Sequence, residues 1–142
     1  MRPVLLASVA LVFALAARVP AQAPAAASGL DFATFRDRVQ PVFLEKRAGF
    51  ARCYVCHSQG TPFRIERLGE GQKTYTDEQS RKNFEAVQRL VVPGKPEASR
   101  LLLMPLAHEA GGTEFHPGGK RWTSQNDAQW KELAQWIKAA AR

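Results

Sequence analysis

The sequence predicts an all-α domain of about four helices joined by long loops. Apolar residues recur at three- and four-residue steps in several separate segments, which is the spacing of one face of a helix. No segment of useful length alternates strictly between apolar and polar residues, as a half-buried strand does. The length of 142 residues also excludes a doubly wound or barrel enzyme, which needs roughly 200 residues or more.

The first predicted helix spans residues 31–46. Its apolar stripe consists of Phe32, Phe35, Val39, Val42 and Phe43. Pro41 lies inside this stripe, and a proline removes one backbone hydrogen bond and clashes with the preceding turn. We therefore expect a kink or a break where Gln40 meets Pro41.

A second helix is predicted to begin after Thr76, whose hydroxyl suits an N-cap, and to end before the turn at residues 93–94. Its buried side carries Phe84, Val87, Leu90 and Val91. A short third helical segment is predicted over residues 97–104, and Pro105 limits its length.

The last predicted helix spans residues 125–140, with Ser124 and Asp127 forming its N-terminal capping pattern. Its apolar face consists of Trp130, Leu133, Ala134, Trp136 and Ile137. Two loops rich in glycine and proline, residues 58–75 and 108–123, separate the helices. Loops this long in a small domain usually serve a function, so we expect them to wrap a bound group.

The first 30 residues are predicted to lie outside the folded domain. Residues 1–21 combine an early basic residue, an apolar run over residues 4–17 and small residues before a cleavage position after Ala21, which is typical of a secretory signal peptide. The run is shorter than the roughly 20 residues of a transmembrane helix, and an uncleaved N-terminal anchor is the alternative. Residues 22–30 are interpreted as a flexible tether, and residues 31–142 as the domain of a periplasmic or otherwise exported protein.

The chain is basic, with 20 Lys and Arg against 13 Asp and Glu and a formal charge of +7. Removal of residues 1–21 takes two of these arginines away. Basic chains often bind nucleic acid, but here the basic residues are scattered and the chain is predicted to be exported. We therefore expect no nucleic-acid partner, and no stable membrane span after signal cleavage.

The most informative motif is C-x-x-C-H, formed by Cys53, Cys56 and His57. This is the attachment signature of c-type haem. Two thiols three residues apart on a helical turn reach the two vinyl groups on one side of a porphyrin, and the next imidazole lies under the iron. The motif predicts one covalently attached haem c, with thioethers at Cys53 and Cys56 and His57 as the proximal iron ligand.

Three other interpretations of the cysteine pair were weighed. A thioredoxin-type redox couple lacks its surrounding βαβ pattern. A zinc site that adds His108 and His116 has the wrong histidine spacing and no second cysteine pair. A plain structural disulfide between Cys53 and Cys56 is the third. Export and the all-α pattern favour haem over all three.

Most of the domain resembles the small single-haem cytochrome c domains of exported bacterial proteins. Residues 35–43 resemble the helix that leads into the haem motif in that family. Residues 93–101 resemble its P-G-x-P-x-x-S-x-L element, and residues 133–137 resemble its closing L-x-x-W-I helix. The resemblance implies a cytochrome c-like fold in which the last helix crosses the first near the haem.

The distal iron ligand has three candidates, Met104, His108 and His116. The resemblance implies a methionine followed by proline just before the last helix. Met104 precedes Pro105, whereas His116 occupies the expected loop position, with a proline, two glycines and a basic residue after it. Glycines let the backbone approach a flat cofactor closely, so we prefer His116, keep Met104 as the alternative and add His108 and an open site as further possibilities.

Aromatic and basic residues near these candidates have two interpretations. Tyr75, Trp122 and Trp136 either pack against the porphyrin or are ordinary core aromatics. Lys120 and Arg121 either pair with the haem propionates or are solvated surface charges.

The predicted function is electron transfer between redox proteins, without enzymatic activity. A haem iron with two protein ligands and no other catalytic group moves single electrons. The positive charge favours weak, salt-sensitive docking on an acidic face of a partner. The alternative is a haem protein with an open or displaceable distal site, used for gas sensing or peroxidase-type chemistry.

Overall fold

The computed structural model describes residues 29–140, so the predicted signal peptide and nearly all of the tether lie outside the described residues. Its α-helices are α1 (Phe32–Thr34), α2 (Pro41–Leu44), α3 (Cys53–His57), α4 (Asp77–Gln88), α5 (Arg100–Leu103) and α6 (Ala128–Ala139). A π-helical turn, Phe35–Val39, joins α1 to α2, and 3₁₀ turns lie at Pro96–Ala98 and His108–Ala110. Between residues 29 and 140 there is no β-strand, only two isolated bridges. The prediction of an all-α domain is confirmed.

The first helical segment continues through Pro41 by changing its hydrogen-bond pattern. The N–H of Gln40 donates to the carbonyl oxygen of Phe35, five residues earlier, at an N···O distance of 2.8 Å. This wider π turn lies directly before Pro41, which has no N–H to donate and whose ring crowds the preceding turn of a regular helix. The expected irregularity at residues 40–41 is confirmed, but the segment ends at Leu44 and not at residue 46.

The core forms where the first helical segment, α4 and α6 meet. Phe35 lies at the centre, with ring centroids 5.2 Å from Phe84 and 5.7 Å from Trp136. The indole N–H of Trp136 donates to the carbonyl of Asp31 at 2.9 Å. Most predicted stripe residues are buried here: Phe35, Val39, Val42, Phe43, Val87, Val91, Trp130, Leu133, Trp136 and Ile137. Leu30, assigned to the tether by the sequence, is also buried, so the core begins one residue before the predicted domain boundary.

Helix α4 begins where the sequence predicts. The Thr76 hydroxyl accepts from the N–H of Gln79, and the Gln79 side chain accepts from the N–H of Thr76, which completes a capping box. Two buried side chains of α4 then bind the first segment. Ser80 Oγ accepts from the Gln40 amide at 2.8 Å, and the Asn83 amide donates to Gln40 Oε1 at 3.1 Å.

Helix α6 begins three residues later than predicted. Its first residue is Ala128, and the carboxylate of Asp127 accepts from the N–H of Gln129, so Asp127 is the N-cap. The Ser124 hydroxyl accepts from the N–H of Asn126 and shapes the turn before the helix. Asp127 also forms a 2.7 Å ion pair with Arg47, which fixes the start of α6 against the chain that leads into α3.

None of the helices between residues 29 and 140 combines the length and the apolar composition that a membrane span requires.

Replacement of Asp127 tests the start of α6. Asp127→Ala removes both the cap and the ion pair, and we expect a loss of about 1–2 kcal/mol in the free energy of unfolding. Asp127→Asn keeps a capping oxygen and loses only the ion pair, so its loss should be smaller. Urea unfolding at pH 7 measures both, and equal losses in the two variants would contradict the capping role.

The ion pair between Asp127 and Arg47 predicts that the free energy of unfolding depends on pH. Partial burial raises the pKa of Asp127, but the hydrogen bond and charge of Arg47 outweigh it and hold the pKa below the ordinary 3.8. A lowered carboxyl pKa stabilises the fold above the unfolded-state pKa, and that contribution is lost as the pH falls. The stability difference between the native chain and Asp127→Asn should therefore shrink below about pH 4.

Candidate functional site

One cavity brings together both cysteines and all but one of the predicted iron ligands. It has a volume of about 490 Å³ and lies between α3, the end of α5 and the loop of residues 116–122. This volume is within the range of about 300–1,000 Å³ that small-molecule and cofactor sites occupy. Cys53, Cys56, His57, Met104 and His116 all line it, together with apolar side chains that include Phe43, Phe63, Leu101, Trp122 and Leu133.

Helix α3 is a single turn that presents the motif to the cavity. Because residues three apart lie on one side of a helix, Cys53 and Cys56 face the same way. They are not joined in a disulfide. Burial raises the pKa of the Cys53 thiol, and the nearby guanidinium of Arg121 partly opposes this, so the thiol is protonated at neutral pH.

One ring nitrogen of His57, Nδ1, is hydrogen-bonded within the protein, and the other, Nε2, is not hydrogen-bonded to any of the described residues. Its Nδ1 lies 2.9 Å from the carbonyl oxygen of Phe63 and 3.0 Å from Thr61 Oγ1. Since a carbonyl oxygen only accepts, Nδ1 carries the proton and Nε2 keeps its lone pair. Burial and the neighbouring His116 lower the pKa of His57, while the bond to Phe63 raises it; the net shift is downward and favours the neutral ring.

His116 is held in the same tautomer. Its Nδ1 lies 2.6 Å from the carbonyl oxygen of Gly119, in a turn closed by the N–H of Gly119 donating to the carbonyl of His116 at 2.8 Å. Gly119 has φ of +77°, a conformation that favours glycine. Because a carbonyl oxygen only accepts, the proton of this contact lies on Nδ1 of His116.

The two imidazoles that line the cavity lie close to each other. Their ring centroids lie 6.1 Å apart, and their planes are inclined by 29°. A metal bound by one nitrogen of each ring, at about 2 Å from each nitrogen, puts the centroids about 6 Å apart. No other pairing of the three histidines is available in this cavity, because His108 does not line it.

Met104 and His108 differ in their relation to the cavity. Met104 follows the last residue of α5, is half-buried and lines the cavity, with its sulfur 3.7 Å from Thr113 Oγ1. His108 begins a 3₁₀ turn and is exposed. Of the predicted distal candidates, His116 and Met104 therefore share the cavity with His57, and His108 lies outside it.

Of the three aromatic residues that the sequence offers as porphyrin contacts, one lines the cavity and two do not. Trp122 is 2% exposed and lines the cavity. Trp136 belongs to the core formed by α6 and the first helical segment and does not line the cavity. Tyr75 does not line it either, but its hydroxyl is buried without a hydrogen-bond partner among the described residues, and burial raises its pKa.

Neither basic candidate is a solvated surface charge. Arg121 is 3% exposed, and its guanidinium donates to the carbonyls of Val42, Glu45 and Ala51 and to the side chain of Gln129 at distances of 3.1–3.4 Å. Lys120 is half-buried and donates to the carbonyls of Met104 and Thr113. Both residues also line the cavity.

Sequence reasoning missed the groups that orient the two histidines. Thr61, Phe63 and Gly119 act through one hydroxyl and two carbonyl oxygens, and backbone carbonyls leave no mark in a sequence. The only available signal was the pair of glycines after His116. Among residues 29–140, no cluster of three or more His, Cys, Asp or Glu side chains surrounds a common metal position.

Comparisons of the chain with protein-family models, curated proteins and solved structures give no match.

The loop that carries His116 is anchored to the segment after α5. The N–H of Arg121 donates to the carbonyl of Pro105 at 2.7 Å, and the N–H of Ala107 donates to the carbonyl of Trp122 at 2.8 Å. Gly112 closes the same segment, and a Cβ at this position would lie 1.9 Å from the carbonyl oxygen of Leu106. Only glycine fits this approach.

Gly112→Ala tests this anchor. The added methyl group forces the backbone apart, so we expect a loss of about 1–3 kcal/mol in the free energy of unfolding. Gly60→Ala is the matched control, because a Cβ at Gly60 meets nothing within 4 Å and its backbone conformation suits other residues. Chemical denaturation followed by circular dichroism measures both variants. Equal stability of the two variants would contradict the close approach at Gly112.

Proposed function

We propose that the chain is an exported single-haem cytochrome c that carries electrons between redox proteins. The observation that carries the proposal is the arrangement of four side chains around one cavity. Cys53 and Cys56 lie on one turn, and His57 and His116 offer free Nε2 atoms from rings whose centroids are 6.1 Å apart. Two thiols and two imidazoles around one cavity are the donors that a bis-histidine haem c uses.

The residues around the cavity fit an iron porphyrin. Cys53 and Cys56 would hold it through thioethers, His57 would be its proximal ligand and His116 its distal ligand, with Met104 as the alternative. The group, when bound, supplies an iron that alternates between the ferric and ferrous states. Apolar side chains line much of the cavity, and the buried cation Arg121 places positive charge near the Cys53 thiol.

The protein contributes orientation and insulation to this function. The carbonyls of Phe63 and Gly119 fix both rings in the tautomer that leaves Nε2 free. The same carbonyls would orient both imidazoles toward a bound metal. Two fixed protein ligands leave no coordination position for a substrate, which favours an electron carrier over an enzyme.

The proposed partners are redox proteins with an acidic docking face. The formal charge of +7 falls by two with residues 1–21 and by two more with the haem propionates, and it stays positive. The proposed location is the periplasm or another exported compartment, because covalent haem attachment in bacteria takes place outside the cytoplasm.

The first test is haem attachment in the full-length chain, produced in a bacterium with an active haem c assembly system. We expect haem that stays bound on a denaturing gel, a low-spin absorption spectrum and no carbon monoxide binding by the reduced protein. Cys53→Ser combined with Cys56→Ser should abolish the covalent haem. A native chain that acquires no haem under these conditions would end the proposal.

The distal ligand is tested by two histidine variants. His116→Ala should give a high-spin spectrum and allow carbon monoxide to bind, because it removes one of two iron ligands. His108→Ala is the matched control and should leave the spectrum unchanged, since His108 is exposed and does not line the cavity. Carbon monoxide binding by the unmodified chain would instead favour gas sensing or peroxidase-type chemistry.

A further inference from the structure

Two side chains able to bind iron, His116 and Met104, line the cavity beside His57. Only one of them can take the distal position at a time. Something in the fold must therefore decide between an imidazole and a thioether, and the inference that follows rests on the proposed function. The residues that bind the backbone and side chain of Met104 suggest how the fold selects between the two ligands.

Lys120 binds both ends of the segment formed by residues 104–113. Its ammonium group donates to the carbonyl of Met104 at 3.2 Å, to the carbonyl of Thr113 and to Thr113 Oγ1 at 3.3 Å. No ion pair between Lys120 and a carboxylate is present among residues 29–140. The side chain thus directs its charge at backbone oxygens, which is a stronger hold than a neutral donor gives.

Thr113 completes the contact with the methionine itself. Its N–H donates to the carbonyl of Leu103 at 3.1 Å, which fixes Thr113 beside the end of α5. From there Thr113 Oγ1 lies 3.4 Å from the carbonyl oxygen of Met104 and 3.7 Å from its sulfur, and its one proton is shared with the carbonyl oxygen of Phe115 at 3.3 Å. A thioether is a weak acceptor, so the stronger bonds are those of Lys120 to the main-chain oxygens, which hold the backbone of Met104 beside Thr113.

We propose that Lys120 and Thr113 form a latch that holds Met104 at the edge of the cavity and leaves the distal iron position to His116. Lys120 is the principal positioning residue, and Met104 is a second ligand kept in reserve. Lys120 lies four residues after His116 in the same loop, so the loop that presents His116 also carries the cation that holds the Met104 segment.

Lys120→Leu opens the latch without adding a new iron ligand. The chain has two methionines, Met1 in the predicted signal peptide and Met104, so a thioether-to-iron charge-transfer band from the mature protein reports Met104. We expect this band to be absent from the native chain and to appear in Lys120→Leu, together with an upward shift of the reduction potential, because methionine ligation raises it. Adding Met104→Leu to Lys120→Leu should remove the band again.

Lys138→Leu is the matched control for the loss of one positive charge, because Lys138 is exposed on α6. It should show no band, and its potential should fall or stay constant. Should Lys120→Leu fail to fold, Thr113→Val removes only the hydroxyl, and the band should appear there in a smaller fraction of molecules.

The outcomes separate the two proposals. Failure to attach haem overturns the proposed function. Attached haem with His116 as ligand, and no thioether band in either Lys120→Leu or Thr113→Val, overturns the latch alone. A thioether band in the native chain also overturns the latch, because Met104 then binds iron while Lys120 is intact.

Discussion

The cavity depends on one buried charge, the guanidinium of Arg121. Taking a cation out of water is costly unless its hydrogen bonds are made, and Arg121 makes them with the backbone. The carbonyls of Val42 and Glu45 belong to the end of the first helical segment, and that of Ala51 leads into α3. Through Gln129 the same group reaches α6. One side chain from the His116 loop thereby fixes the distances between the elements that enclose the site.

The sequence predicts local features of this fold well. Helical periodicity identifies the buried stripes, Thr76 caps α4 and Pro41 marks the irregular turn. The start of α6 is wrong because two capping residues compete, and the ion pair with Arg47 favours Asp127 over Ser124. That ion pair joins residues 80 positions apart, and a pattern read over a few residues contains no information about it. The π turn escapes prediction for a related reason, since a shifted backbone bond leaves the side-chain spacing almost unchanged.

The candidate site also has some features that the sequence predicts and others that only the fold shows. The motif around Cys53 is local and visible in the sequence. The order of preference between His116, Met104 and His108 is also a sequence prediction, yet only the fold shows which of them share a cavity with His57. The burial of Arg121 has no signature in the sequence, because an arginine residue is the same letter whether it is buried or solvated. Its burial follows from the elements that converge on it.

The bond network of Gln40 has a consequence for the order of folding. Gln40 binds Ser80 and Asn83, and Asn83 Oδ1 in turn accepts from the N–H of Glu66 at 2.7 Å, next to the Ile65 amide that donates to the carbonyl of His57. The two bonds of Gln40 join residues 40 and 43 positions apart, and closing such loops costs entropy before any contact compensates for it. We therefore expect the wall behind His57 to be completed only when α4 docks, which would leave the two cysteines accessible in the collapsing chain until then.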